Sequence, residues 1–151
     1  RCDVAFALVG AKTGEKLRYR IRSVLSGITR GREFHNKEGD WWAEGQQHFP
    51  HKNKTSIALT KLLDDFSVPS VVDVMQVSLT GGERWILENF NFNRYKFLVG
   101  LIANPPKQLT KLLKEHGYEH MASYGEDHVY LHTSFERFDY AMGKYANAST
   151  A

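Results

Sequence analysis

The chain has 151 residues, of which 42% are hydrophobic and 25% are charged, and its formal net charge is +3. This length and apolar content suffice for one domain with one core, and they exclude a disordered chain. The small positive excess argues against a nucleic-acid partner. Charged residues interrupt every apolar run before it reaches the roughly 18 residues of a membrane span.

Cysteine usage and the first residues bear on compartment and completeness. The single cysteine, Cys2, excludes an internal disulfide and favours a reducing, intracellular or organellar compartment. No signal-like segment precedes the apolar stretch at 4–9, so the chain is expected to start in mid-fold.

Two short strands are predicted near the amino end. Residues 3–10 and 17–24 flank the polar turn "AKTGEK", which predicts a hairpin. Alternation in the second strand places Arg18, Arg20 and Arg22 on one face. This stripe is either a solvated edge protected by charge or a binding surface for an anion or an acidic partner.

A long irregular segment follows, at residues 25–55. Loops of this length inside a compact domain are uncommon and usually carry function. Trp41 and Trp42 are its candidate contact residues, as exposed aromatic anchors for a partner. The alternative is that both tryptophans fold back on the core. We treat residues 25–55 as an insertion within a single domain, 1–151.

From residue 56 onward, helices and strands are predicted to alternate. The order is helix 56–66, strand 71–79, a helix beginning near Gly82, strand 96–103, helix 107–117, a hairpin within 118–132 and a last helical segment at 134–145. The strand at 71–79 is nearly continuous in apolar residues, which is typical of a strand covered on both faces. Such alternation predicts an α/β fold with a mainly parallel, Rossmann-like sheet that ends in an antiparallel hairpin.

These segments resemble the FkbM family of S-adenosylmethionine-dependent methyltransferases. The resemblance lies in "ALTKLLDDFSVPSVVDVMQVSLTGGERWILENFNFNRYKF", then in "LLKEHGYEHM" and "EDHVYLHTSF". It covers about residues 55–135, the carboxy-terminal half of such a domain. The resemblance implies a methyltransferase-type sheet whose cofactor-binding strands are missing from this chain.

The resemblance also implies where the site residues lie. Family members carry an acidic pattern of the form D-x-E-G-x-E after this strand, and its three acids fall here on Ser78, Thr80 and Glu83. Two of the three carboxylates are therefore replaced by hydroxyls, which cannot serve as bases at neutral pH without activation. A further family acid falls near Ala103 and is also missing. No glycine-rich cofactor turn is recognisable, so no cofactor is expected in this chain.

The histidine spacings argue against a metal site. His128 and His132 lie four residues apart on a predicted strand, about 13 Å at 3.3 Å per residue. His116 and His120 are separated by Gly117, which ends the predicted helix. No metal ligand set is therefore assigned.

Two functions stay open from the sequence. The first is a non-catalytic, FkbM-like structural or binding subunit of a larger assembly of proteins. The second is an S-adenosylmethionine-dependent O-methyltransferase whose cofactor half lies upstream or on a partner, with Glu83, Thr80 and Ser78 at the acceptor side. The missing carboxylates and the missing glycine turn favour the first function.

Overall fold

The computed structural model of the chain describes residues 4–20, 27–28, 51–79 and 82–145. They form two four-stranded sheets and four helices within these ranges. The strands are β1 (Leu8–Gly10), β2 (Lys16–Arg20), β3 (Gly27–Ile28), β4 (His51–Ala58), β5 (Val71–Val77), β6 (Lys96–Ala103), β7 (Tyr118–Tyr124) and β8 (Asp127–His132). The helices are α1 (Leu59–Asp65), α2 (Glu83–Leu87), α3 (Lys107–Glu115) and α4 (Phe138–Tyr145).

The first sheet has the strand order β1-β4-β2-β3. Strand β4 is parallel to β1 and antiparallel to β2, so it separates the two strands that the sequence predicted to form a hairpin. That hairpin prediction is wrong. The helix predicted from residue 56 begins only at Leu59, because residues 51–58 form β4.

A buried serine holds the turn between β1 and β2 against β4. The Oγ of Ser56 donates to the carbonyl oxygen of Lys12 at 2.6 Å, and the side chain is buried. In the same turn, the backbone N–H of Ala58 donates to Thr13 Oγ1 at 3.0 Å. These bonds fix the last residues of β4 against this turn.

The second sheet has the strand order β5-β6-β8-β7. Strand β5 is parallel to β6, and β8 is antiparallel to both β6 and β7. The predicted hairpin of β7 and β8 is confirmed, with Gly125 in its turn at a φ of 62°. A register shift between His120 and Ala122 marks a bulge in β7.

The predicted fold class is wrong, although the predicted order of elements from α1 to β8 is confirmed. Four of the six strand pairings are antiparallel, and the strands lie in two mixed sheets rather than in one mainly parallel, Rossmann-like sheet. The physical reason is β4, which the sequence placed in an irregular loop. Its pairing places β1, β2, β3 and β4 in a sheet of their own, so β1 and β5 belong to different sheets.

The core lies between the second sheet and the two helices α2 and α3. The predicted inward leucines of α3 are confirmed, since Leu109 and Leu113 are fully buried and Leu112 packs against the same cluster. The other buried members are Met75, Leu87, Phe90, Tyr95, Phe97, Ile102, Tyr118 and Tyr130. Gly117 follows α3 with a φ of 82°, which fits a glycine at a helix end.

One glycine allows helix α2 to approach the first sheet closely. A Cβ at Gly10 of β1 would lie 2.9 Å from Ser56 Cβ and 3.0 Å from the ring of Trp85 in α2. A side chain at this position would push α2 away from the first sheet. Among the described residues, none of the helices has the length and hydropathy needed to cross a membrane.

Candidate functional site at the open edge of β5

Strand β5 forms one end of the second sheet. Its only strand partner among the described residues is β6, to which it pairs in an unbroken parallel register from Val71 to Val77. We call the other side of β5 the open edge. There, alternate residues direct backbone N–H and C=O groups away from the sheet, where a further strand can pair with them.

The side chains of β5 are largely exposed, contrary to the prediction of a strand covered on both faces. Val71 is 50% exposed and Val74 is 53% exposed, and Asp73 and Gln76 are also exposed. Only Met75 of this strand is buried. The apolar run reflects an exposed hydrophobic strand rather than two-sided burial.

The exposed apolar surface continues from the open edge onto one face of the sheet. Val74 lies beside Val99, which lies beside Leu131, and paired residues project from the same face. Leu131 is buried, Val99 is half-buried and Val74 is exposed, so burial falls steadily toward β5. Along this row of paired residues, the uncovered apolar area therefore lies at the open edge.

The sequence and the described register of β5 contain none of the lysines, prolines or bulges that usually protect an edge strand. Its sequence, "VVDVMQV", contains neither lysine nor proline, and its register with β6 has no bulge. Asp73 is its one charged residue. A long, regular, apolar edge of this kind is a template for pairing with another strand.

The predicted catalytic turn follows β5 directly, and its surviving acid has a structural contact. Glu83 is only 2% exposed, and its Oε1 accepts a hydrogen bond from the backbone N–H of Leu79 at 3.0 Å. The carboxylate thus ties the end of β5 to the first turn of α2, where an acid also interacts favourably with the helix dipole. Thr80 and Gly81 lie outside the described residues.

Ser78 lies at the carboxyl end of β5 and is exposed. It lines a cavity of about 40 Å³ together with Gln76, Val77, Leu101, Ala103 and Asp127. Pockets for small-molecule ligands usually measure about 300 to 1,000 Å³. The cavity that these residues define lies well below that range.

Sequence reasoning missed one carboxylate at this end of the sheet. The family acid near Ala103 is absent, but Ala103 pairs with Asp127, the first residue of β8. Asp127 therefore brings an acid to the position where the sequence predicted none. The signal could not be read from spacing, because the two residues are 24 positions apart and meet only through the antiparallel pairing of β6 with β8.

The other predicted contact residues are only partly described. Arg18 lies on β2 with an exposed side chain, and Arg20 is the last residue of that strand. Arg22, Trp41 and Trp42 lie outside the described residues, as does most of the predicted insertion at 25–55. Within the described ranges, no group of three or more His, Cys, Asp and Glu side chains is close enough to hold a metal ion.

Comparisons of the chain with protein-family models, with curated proteins and with solved structures found no match.

Proposed function

We propose that this chain is a non-catalytic binding subunit of a larger protein assembly, and that the open edge of β5 receives a β-strand of the partner protein. The observation that carries this proposal is the pair of half-exposed valines, Val71 and Val74, on a regular strand without edge protection. Pairing with a strand would satisfy the backbone groups of the open edge and cover both valines.

The character of the edge also defines the strand that fits it. Val71 and Val74 call for apolar side chains in the partner strand, because the valines face opposite sides of the sheet. Asp73 is exposed between them and forms no ion pair with another described residue. A partner strand with apolar residues on both faces and a Lys or Arg near Asp73 matches this pattern.

The position of Glu83 supports a non-catalytic role. A general base has to reach the proton it removes, within hydrogen-bond distance of the substrate. Glu83 is buried, and its Oε1 accepts a hydrogen bond from the Leu79 N–H. This hydrogen bond stabilises the turn. The resemblance to FkbM methyltransferases stays a prediction, and it concerns the local sequence over about residues 55–135.

Photo-crosslinking tests the binding proposal at the open edge. The photoreactive residue p-benzoylphenylalanine is placed at position 74 in one variant and at position 4 in a control, because Val4 is also an exposed valine but lies outside the second sheet. Irradiation in cells of the native source should give a discrete protein adduct from position 74, with the crosslinked peptide in a β-strand of the partner. No adduct, or the same adduct from position 4, would overturn the proposal.

One observation favours the alternative function, an O-methyltransferase completed by another cofactor-binding half. Asp127 supplies a carboxylate at the strand ends beside Ser78. Calorimetric titration of S-adenosylmethionine into the purified chain and into its isolated complex separates the two functions. Binding by the complex that is lost in Asp127→Asn would support the methyltransferase, whereas absence of binding by both samples supports the non-catalytic subunit.

A further inference from the structure

Two histidines meet across the hairpin of β7 and β8. His120 pairs with Tyr130 and Ser123 pairs with His128, because the bulge in β7 shifts the register between His120 and Ala122. The side chains of His120, Ser123 and His128 consequently converge on the same face of the hairpin. We call these three residues the histidine cluster.

The three polar atoms of the histidine cluster form a nearly equilateral triangle. His120 Nε2 lies 3.2 Å from His128 Nδ1, and Ser123 Oγ lies 3.0 Å from the first nitrogen and 3.3 Å from the second. Metal–nitrogen bonds of about 2.0 to 2.1 Å place neighbouring ligand atoms about 2.9 Å apart in octahedral geometry and about 3.3 Å apart in tetrahedral geometry. These three pairs are hydrogen-bonded, and their separations also suit neighbouring ligands on a single ion.

The surroundings keep the histidine cluster accessible to solvent and its rings packed against Tyr130. His120 is exposed, and Ser123 and His128 are half-buried. The rings also pack against Tyr130, whose ring centroid lies 5.4 Å from that of His120, so the imidazoles are held in place.

We propose that His120, Ser123 and His128 form a binding site for a divalent transition-metal ion, with the two imidazole nitrogens as the main ligands. Imidazole nitrogen suits Zn²⁺, Ni²⁺ and Cu²⁺, and the hydroxyl and water complete the coordination. The bound ion joins β7 to β8 beside their turn. Because it binds the folded hairpin, it stabilises the native state, and this stabilisation grows with the logarithm of the ion concentration once that exceeds the Kd.

The test titrates Ni²⁺ into the full chain by calorimetry and follows backbone amide signals by NMR, since paramagnetic Ni²⁺ broadens signals near its site. Substoichiometric Ni²⁺ should broaden residues 118–132 first. Replacing a principal ligand, in His120→Ala or in His128→Ala, should weaken binding by about ten-fold or more. Because His120 is exposed, the His120→Ala variant is expected to stay folded. If the His128→Ala variant does not fold, the result for His120→Ala decides the outcome.

The matched control is His132→Gln, which alters a histidine of β8 outside the histidine cluster. His132 Nδ1 contacts Ser134 rather than the histidine cluster. Retention of Ni²⁺ binding in this variant, together with its loss in His120→Ala, supports the site. Equal affinity in wild type and His120→Ala, or broadening that begins outside residues 118–132, would overturn the proposal.

Discussion

The two outer strands of the second sheet differ in how their edges are protected. Strand β7 carries a bulge, an ion pair between Glu119 and Lys114 at 4.0 Å, and contacts with α3 and α4. Strand β5 has a regular register, one carboxylate and two half-exposed valines. The same sheet thus ends in one edge that resists further pairing and one edge that permits it.

Because of this difference, the residues that form the core are not the residues that are offered to a partner. The core against α2 and α3 is closed without any contribution from Val71 and Val74. Their apolar surface therefore contributes little to the stability of the isolated chain and is available to a partner. Burial of such surface contributes about 25 cal/mol per Å² on association, before the costs of ordering.

The largest expected change in the free energy of unfolding comes from a lysine introduced into β7, the strand with the protected edge. Ala122 of β7 is fully buried, so Ala122→Lys forces a charged side chain into packed surroundings. We expect the free energy of unfolding to fall by about 3 to 5 kcal/mol, measured by urea denaturation. Val74→Lys on β5 is the matched control, and an equal loss in both variants would contradict the distinction between the edges.

A smaller loss is expected when the buried acid after β5 is removed. Glu83→Ala leaves the Leu79 N–H without its acceptor, and we expect a loss of about 1.5 to 3 kcal/mol in urea denaturation. Glu83→Gln retains a carbonyl oxygen and should lose less. Glu88→Gln, an exposed acid just after the same helix, should change stability by less than about 0.5 kcal/mol. A Glu83→Ala variant as stable as wild type would show that the contact is not structural.

The pH dependence of stability should reveal His132, on β8 beside the protected strand. Burial lowers the pKa of His132 below its ordinary 6.5, the charge of Lys96 adds to this, and a hydrogen bond with His116 opposes it. The unfolded chain then binds the proton more readily than the folded chain. The contribution of His132 to the free energy of unfolding is therefore complete above pH 6.5 and is lost as the pH falls through the folded-state pKa.

Comparing urea midpoints above and below that window checks the prediction. His132→Asn should show a smaller fall in stability toward acid pH than wild type. Identical pH profiles in the two proteins would show that His132 does not contribute.

The smallest effect on folding is expected at the open edge. Val74→Lys should change the free energy of unfolding by less than about 0.5 kcal/mol, because this side chain is 53% exposed. The same change should abolish binding of a partner strand, because it places a charge beside the backbone groups that pair. Co-purification of the partner with Val4→Lys, but not with Val74→Lys, is the expected readout.

The local elements could be predicted from the sequence, whereas their long-range pairings could not. The leucine spacing of α3 and the turn at Gly125 are local signals, and both agree with the structure. Strand β4 carries the polar residues "HKNKTS" and no apolar alternation, so its identity depends on β1 and β2, which are distant in sequence. That one missed strand produced the wrong fold class.

The same dependence on long-range pairing explains why the candidate sites could not be predicted from the sequence. The apolar run of β5 has the composition of a buried strand, and only the strand order reveals that it lies at an edge. The meeting of His120 with His128 depends on a bulge, and the meeting of Ala103 with Asp127 depends on register. Spacing along one strand carries no information about either pairing.

Residue-resolved amide hydrogen exchange on β5 tests the open edge most directly. In the isolated chain, we predict that protection alternates from Val71 to Val77, because only the N–H groups directed at β6 are hydrogen-bonded to a strand. In the complex, the rapidly exchanging amides should become protected while those facing β6 change little. Uniform protection of β5 in the isolated chain, or no added protection in the complex, would contradict a partner strand at the open edge.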